Sequence, residues 1–166
     1  MLNTTLNRDF LIAWAAGFLD GEGTIAIFKR NAKEKKEYKY SQQYSLRLSA
    51  SQADPAPLVR LSSIFGGSVR VLKRGTINYR QMYEWQLGHK SAVLVIEEML
   101  PYFTVKHDQA ELAIEFSKLL TGQPITEESL EKREAFYKTM KSLKHIDYDE
   151  NMIPVQNRIK RLRLVS

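Results

Sequence analysis

The stretch that most constrains this chain is Ala16-Gly17-Phe18-Leu19-Asp20-Gly21-Glu22-Gly23, followed directly by Thr24-Ile25-Ala26-Ile27-Phe28. An apolar segment of helical period runs into two carboxylates and then into a β-branched alternation, so a helix must give way to a strand within a few residues. The upstream part reads as a helix over residues 8–19, with Asn7 as N-cap and Asp9 near the positive end of the dipole. Gly21 or Gly23 can end it in a left-handed conformation. Ala13, Gly17 and Gly21 recur every four residues with Ala16 beside them, which leaves one helix face without side-chain bulk and open to close backbone approach. Phe10, Leu11, Trp14 and Phe18 fill other directions, predicting a helix buried nearly all round. Asp20 and Glu22 then stand at the helix end beside partly negative carbonyls. Such a place suits a hard divalent cation with oxygen ligands better than it suits unpaired acids. A polar turn after a core helix is the plain alternative, and the small-residue face beside the acids weighs against it.

A chain of 166 residues with 43% hydrophobic residues suits one domain with a real core. The absence of cysteine excludes disulfides, zinc-thiolate sites and cysteine nucleophiles. Its apolar stretches are much shorter than a membrane span, and no basic segment followed by a signal-peptide core opens the sequence, so a soluble intracellular protein is expected. The net charge of +6 is unevenly spread: residues 1–23 hold one base and three acids, 24–90 thirteen bases and four acids, 91–166 eleven bases and twelve acids. A basic middle beside a nearly neutral remainder is the electrostatic footprint of a nucleic-acid binder, although a solvated basic face has the same composition.

That basic middle alternates as strands do. Residues 24–30 place Ile25, Ile27 and Lys29 on one face and Ala26, Phe28 and Arg30 on the other; residues 31–39 are a lysine-rich hairpin loop. Residues 40–51 turn Tyr44, Leu46, Leu48 and Ala50 inward and Gln43, Ser45, Arg47, Ser49 and Ser51 outward, a polar row able to hydrogen-bond base edges. Asp54 and Pro55 introduce a helix over residues 58–65 that stops at Gly66-Gly67. A third strand over 68–74 puts Val69 and Val71 inward and Arg70, Leu72 and Arg74 outward. A fourth over 79–87 puts Tyr83, Trp85 and Leu87 inward and Arg80, Met82 and Glu84 outward. Helical period then returns over 91–100, 107–120 and 127–144, the last capped by Thr126. The fold class is α+β: an antiparallel four-stranded sheet with helices on one face and the other face free for a partner. Residues 1–146 read as one domain, and 147–166 as a basic C-terminal tail with a short helical segment over 155–164.

With these residues in place, Ala16 to Gly23 and its flanks resemble the motif of the LAGLIDADG homing endonucleases, in one copy. The order of elements resembles the single-motif members of that family up to about residue 145. The resemblance implies the αββαββα fold of that family with C-terminal helices, and a DNA-binding sheet carrying Phe28, Arg30, Gln43, Ser45, Arg47, Ser49, Arg70, Arg74, Arg80, Met82 and Glu84. Lys33, Lys35, Lys36 and Lys39 of the loop would reach phosphates. By the same resemblance Glu22 is the metal ligand, helped by the Gly21 carbonyl, with Asp20 second in line and able to orient or cap the motif. Gln52 matches a polar residue that orients the water network, weighed evenly against an ordinary strand end. Lys106 matches a lysine of the cleavage centre, against the commonness of surface lysines before helices. A basic residue expected after the glutamine is missing from residues 53–57, with Arg60 as a substitute.

The resemblance further implies a site-specific double-strand DNA endonuclease that acts on a long pseudo-palindromic site and serves intron or intein mobility. Mg2+ would be the cofactor, with Mn2+ substituting and Ca2+ supporting binding without cleavage. Cutting two strands with one motif requires a two-fold homodimer, packed through Ala13, Ala16, Gly17 and Gly21. The rivals are an RNA-splicing maturase that binds intron RNA, and a metal-free DNA-binding regulator; the compartment would be an organelle or a prokaryotic or phage-infected cytoplasm. His89, His107 and His145 show no ligand spacing and read as structural or surface residues; Tyr38, Tyr40 and Tyr44 could stack on bases but read first as core and strand-packing residues.

Overall fold

The computed structural model describes residues 7–31, 42–72, 80–120 and 125–144. Lys33, Lys35, Lys36, Lys39, Arg74, His145 and the C-terminal tail lie outside the described residues. The first helix, α1 (Arg8–Glu22), starts at Asn7, whose side chain accepts the Asp9 N–H at 3.2 Å. It runs three residues beyond the expected end, so Asp20, Gly21 and Glu22 are helical. No left-handed residue closes it: Gly23 is extended at φ −84°, and its N–H still donates to the Leu19 carbonyl. Glycine is needed there for space, since a Cβ at Gly23 would meet the Leu19 oxygen at 2.5 Å.

Gly23 is also the first residue of β1 (Gly23–Asn31), which pairs antiparallel with β2 (Gln42–Gln52), Gly23 standing opposite Ala50. The Asp54 carboxylate accepts the Ala56 N–H at 2.9 Å and starts α2 (Ala56–Phe65). That helix ends at Gly66 and Gly67, both left-handed at φ 74° and 87°, the conformation glycine adopts without strain. Then follow β3 (Ser68–Leu72), β4 (Met82–Gly88), α3 (His89–Met99), a 3-10 turn at Leu100–Tyr102 where Pro101 ends the helix, α4 (His107–Lys118) and α5 (Glu127–Lys144). The sheet order is β1-β2-β4-β3, every pair antiparallel. β4 begins at Met82, so Arg80 precedes the strand and does not belong to its outward row. Thr126 caps α5 as expected, its Oγ1 accepting the Ser129 N–H at 3.1 Å while the Ser129 hydroxyl accepts the Thr126 N–H at 2.9 Å.

One sheet face is covered by helices. Ile25, Ile27, Leu46, Leu48, Ala50, Trp85 and Leu87 pack there against Ile12, Ala15, Ala16 and Leu19 of α1, Ile96 of α3 and Phe116 of α4. Trp85 is fully buried, and its indole N–H donates to the Gly66 carbonyl at 2.8 Å. Ala16 is likewise buried inside the monomer, which removes it from the expected dimer face. The helix is not buried all round either. Phe10 is 68% exposed, and with Gly17 and Gly21 it opens one side of α1 to solvent. Val71 shares a sheet face with Tyr83, yet it is 54% exposed because β3 is the edge strand and its far end runs past the helices.

Helix α5 is held to the sheet by polar contacts. The Glu134 carboxylate accepts from Lys29 Nζ at 2.8 Å and from the Tyr44 hydroxyl, and Tyr44 meets the Tyr137 ring edgewise. The buried Arg133 donates to the Leu119 carbonyl at 3.0 Å, answering the C-terminal end of α4.

Candidate nucleic-acid cleavage centre

The two acids at the end of α1 have separate fates. The Asp20 carboxylate accepts three backbone N–H groups, from Thr104 at 2.8 Å, Val105 at 3.2 Å and Lys106 at 3.0 Å. It thereby fixes the turn that leads from Phe103 into α4. Of the roles the sequence left open for Asp20, this geometry is that of a cap. Glu22, two residues further along the helix, is exposed, and its side chain makes no hydrogen bond among the described residues. Its carboxylate stands at the C-terminal end of α1 with the Gly21 carbonyl beside it in sequence, an all-oxygen donor set that fits a hard divalent cation.

Lys106 is brought to the same place by the turn that Asp20 holds. Its backbone N–H goes to the Asp20 side chain and its ammonium to the Asp20 carbonyl. The ammonium is half-buried, and burial pushes it below the ordinary lysine range, against the opposing pull of the Asp20 and Glu22 charges. A cation, a free carboxylate and a helix end are thus assembled from segments more than eighty residues apart. The β1–β2 register carries the end of β2, with half-buried Gln52, past the start of β1, beside the end of α1. Gln52 pairs with Tyr83 and so lies on the helix side of the sheet.

The open sheet face is polar as the alternation predicts. Thr24, Ser49, Gln86 and Ser68 form one cross-strand row, and Ser51, Glu84 and Arg70 the next. Arg70 is engaged, donating to Glu84 from Nε at 2.8 Å, and the Arg47 guanidinium lies 4.4 Å from the centre of the exposed Phe28 ring. Arg30 and Gln43 face each other at the far end, both exposed. Met82 is half-buried opposite Leu72. Ser45, opposite Phe28, is exposed.

Some expected residues lie elsewhere. The Arg60 guanidinium sits 4.3 Å from the Trp14 ring centre, so it packs on α1 and does not fill the basic position missing after Gln52. His89 is half-buried, and burial with the nearby Lys90 charge pushes its imidazole below the usual range. His107 forms an exposed group with Asp108 and Glu111 on the first turn of α4, its Nδ1 3.8 Å from Glu111 and 4.0 Å from Asp108. One residue that sequence reasoning passed over is Lys144 at the end of α5. It lines, with Gly23, Thr24, Val105 and Lys106, a recess of about 440 Å3. Only its place at the end of a lysine-bearing helix hinted at it.

Comparison with known proteins identifies the family and the fold. Residues 15–118 match the family described as LAGLIDADG endonuclease. The DNA endonuclease I-CvuI of Chlorella vulgaris is 30% identical over 121 residues, which are 72% of this chain and 71% of that protein. Two crystal structures of I-CvuI superpose well. One, with its target in 2 mM Ca, has a TM-score of 0.66 at 26% identity and covers 94% of each chain. The other, with the I-CreI target in 2 mM Mg and the DNA not cleaved, has a TM-score of 0.70 at 25% identity and covers 93% of this chain and 96% of that one. The archaeal intron-encoded homing endonuclease I-Vdi141I, complexed with DNA, shares the fold at a TM-score of 0.70 and 16% identity, covering 95% and 99%.

Proposed function

Because the chain belongs to the LAGLIDADG endonuclease family, we propose that it is a homodimeric, site-specific DNA endonuclease that hydrolyses both strands with divalent metal. The observation that carries this reading is the division of labour at the end of α1. Asp20 is consumed by three backbone N–H groups, while Glu22 is left free within the field of the Lys106 ammonium. Glu22 and the Gly21 carbonyl would hold Mg2+, with Mn2+ as a substitute and Ca2+ supporting binding alone. A bound ion there supplies an activated water and offsets charge on the scissile phosphate and the leaving oxygen. Lys106 adds a fixed positive charge towards the phosphate, and Gln52 orders water at the end of β2.

The open face of α1 supports a two-fold dimer. A Cβ at Gly17 or Gly21 would meet nothing within 4 Å among the described residues, so none of them requires glycine there. Each glycine in a helix interior costs roughly 0.5–1 kcal/mol relative to alanine. Close packing of a second α1 along Phe10, Ala13, Gly17 and Gly21 gives them a reason, and brings two Glu22 carboxylates together over the middle of the site. Each sheet would then read about one helical turn of a pseudo-palindrome, through Arg30, Gln43, Ser45, Arg47 and Ser49 in the major groove. Arg70 and Glu84, paired with each other, would act as one preset donor–acceptor unit beside Met82, with Phe28 and Arg47 contacting DNA towards the other end of the sheet.

Cleavage selection on a library of randomised duplexes tests this. Recovery of cut, pseudo-palindromic sites in Mg2+ and of none in EDTA is expected. Uncut libraries, together with crosslinking to an intron transcript, would replace the reading with that of a maturase.

A further inference from the structure

We propose that Lys144 is a second phosphate-binding cation of the cleavage centre, sharing with Lys106 a recess that receives one backbone phosphate of each DNA half-site. This rests on the DNA-endonuclease reading above and adds to it a contact made by α5. The recess of about 440 Å3 lies between the start of β1, the turn before α4 and the end of α5. Thr24, on its wall, belongs to the open sheet face, so the recess continues that face around the β1 edge. A second hollow of about 330 Å3 shares Thr24 and Lys144 and runs along β1 past Phe28, walled on the α5 side by Tyr137 and Lys141. Tyr137, Lys141 and Lys144 follow one another at helical spacing, so α5 presents a single stripe to this edge. The Lys141 ammonium lies 5.4 Å from the Tyr137 ring centre, which steadies it there.

Charge makes the recess an anion site. Lys106 has the Asp20 carbonyl and the charges of Asp20 and Glu22 to offset it. Lys144, though exposed as a residue, has no side-chain hydrogen bond or ion pair among the described residues. Its ammonium is desolvated, and repulsion from Lys106 adds to the push below the ordinary lysine range. The one carboxylate on the recess wall, Asp108, has His107 as its neighbour at 4.0 Å. Two ammonium groups in one recess raise each other's energy until an anion sits between them, and a backbone phosphate beside Glu22 is that anion. Among the described residues no acidic side chain pairs with the Lys144 ammonium, so its removal is expected to leave α5 in place.

The test uses the full chain and a duplex recovered by the cleavage selection, with affinity measured in Ca2+ across a salt series. Lys144→Met should weaken binding roughly five- to tenfold at about 0.1 M salt. It should also lower the slope of log K against log salt by about 0.9 for each half-site. Lys144→Arg should keep both, and the melting temperature of each variant should match the parent. Single methylphosphonate linkages walked along the site should reveal one linkage per half-site that weakens the parent clearly more than it weakens Lys144→Met, where Lys106 alone still meets that phosphate. An unchanged slope and linkage profile in Lys144→Met would overturn the proposal, as would an equal loss in Lys132→Met, a surface control on the same helix. If the parent cuts nothing but retains duplexes in a Ca2+ binding selection, the endonuclease reading fails, and the slope comparison on a duplex from that binding selection still decides the phosphate contact. A parent that binds no duplex at all overturns both.

Discussion

The covered and open sides of this molecule treat polar groups in opposite ways. On the covered side, Asp20 is satisfied by the backbone of residues 104–106, Glu134 by Lys29 and Tyr44, and the end of α4 by Arg133. On the open side and its rim, Glu22, Arg30, Gln43 and Ser45 are exposed and make no side-chain hydrogen bond among the described residues. Removing a polar group that the chain itself satisfies strands its partners and costs stability. A group left unsatisfied at no cost to the fold is available to a partner, so its removal should appear in binding or catalysis. Asp20 and Glu22, two residues apart on one helix, fall on opposite sides of this division.

The division breaks most visibly at Leu19 and Glu22. Leu19→Ala, in the fully buried stripe of α1, should lower stability by roughly 2–5 kcal/mol in urea unfolding. A loss under 1 kcal/mol would mean that α1 does not anchor the core. Glu22→Gln should reduce cleavage in Mg2+ at least about 100-fold, or about 2.7 kcal/mol of barrier, with unfolding and Ca2+-supported binding unchanged. Undiminished cutting by that variant would remove Glu22 from the chemistry. Asp20→Ala should show the opposite signature, a stability loss of roughly 1–3 kcal/mol from three stranded N–H groups, with cleavage falling because the turn carrying Lys106 loosens. Equal melting temperatures for Asp20→Ala and the parent would make Asp20 a partner-facing group like Glu22.

Smaller effects sharpen the same contrast. Gln43→Ala should leave stability within about 0.5 kcal/mol and relax base preference near one end of each half-site by about 1 kcal/mol, read from re-selection of cleaved sites. The least effect is expected from acid. The Lys29 ammonium and the Tyr44 hydroxyl hold Glu134 below its ordinary 4.5, so the unfolded chain takes up that proton more readily than the folded one. The contribution is fully present above about pH 4.5 and fades as pH falls through the lower folded value. Glu134→Gln should flatten this part of the stability profile between neutral and acid pH; an unchanged profile would show that the clasp is dispensable.

Much of the architecture was legible because it is local. The alternation of Tyr44, Leu46, Leu48 and Ala50 with polar residues sets which side of β2 is covered, since a strand has only two sides. Thr126 and the acids after it begin α5 where the helical period begins, and the helix keeps the expected limits. The end of α1 was less legible. Its last turn is secured by groups more than eighty residues away, and no signal at residues 20–23 foretells that Asp20 will be met by the backbone after Phe103. Ala16 and Gly17 are neighbours with equally small side chains, and only the packing of the core against Ala16 shows which of them faces out.

By itself, then, the sequence determined the elements, their polarity and the presence of two carboxylates at a helix end, because periodicity, caps and turns act over a few residues. The tertiary structure decided what each polar group is for. Asp20 became a cap, Glu22 stayed free, Arg60 packed on Trp14, and Lys144 joined Lys106 at a recess beside the start of β1. The reason is physical: whether a charge is satisfied depends on what the rest of the chain brings within hydrogen-bonding distance, and that distance is set by long-range packing.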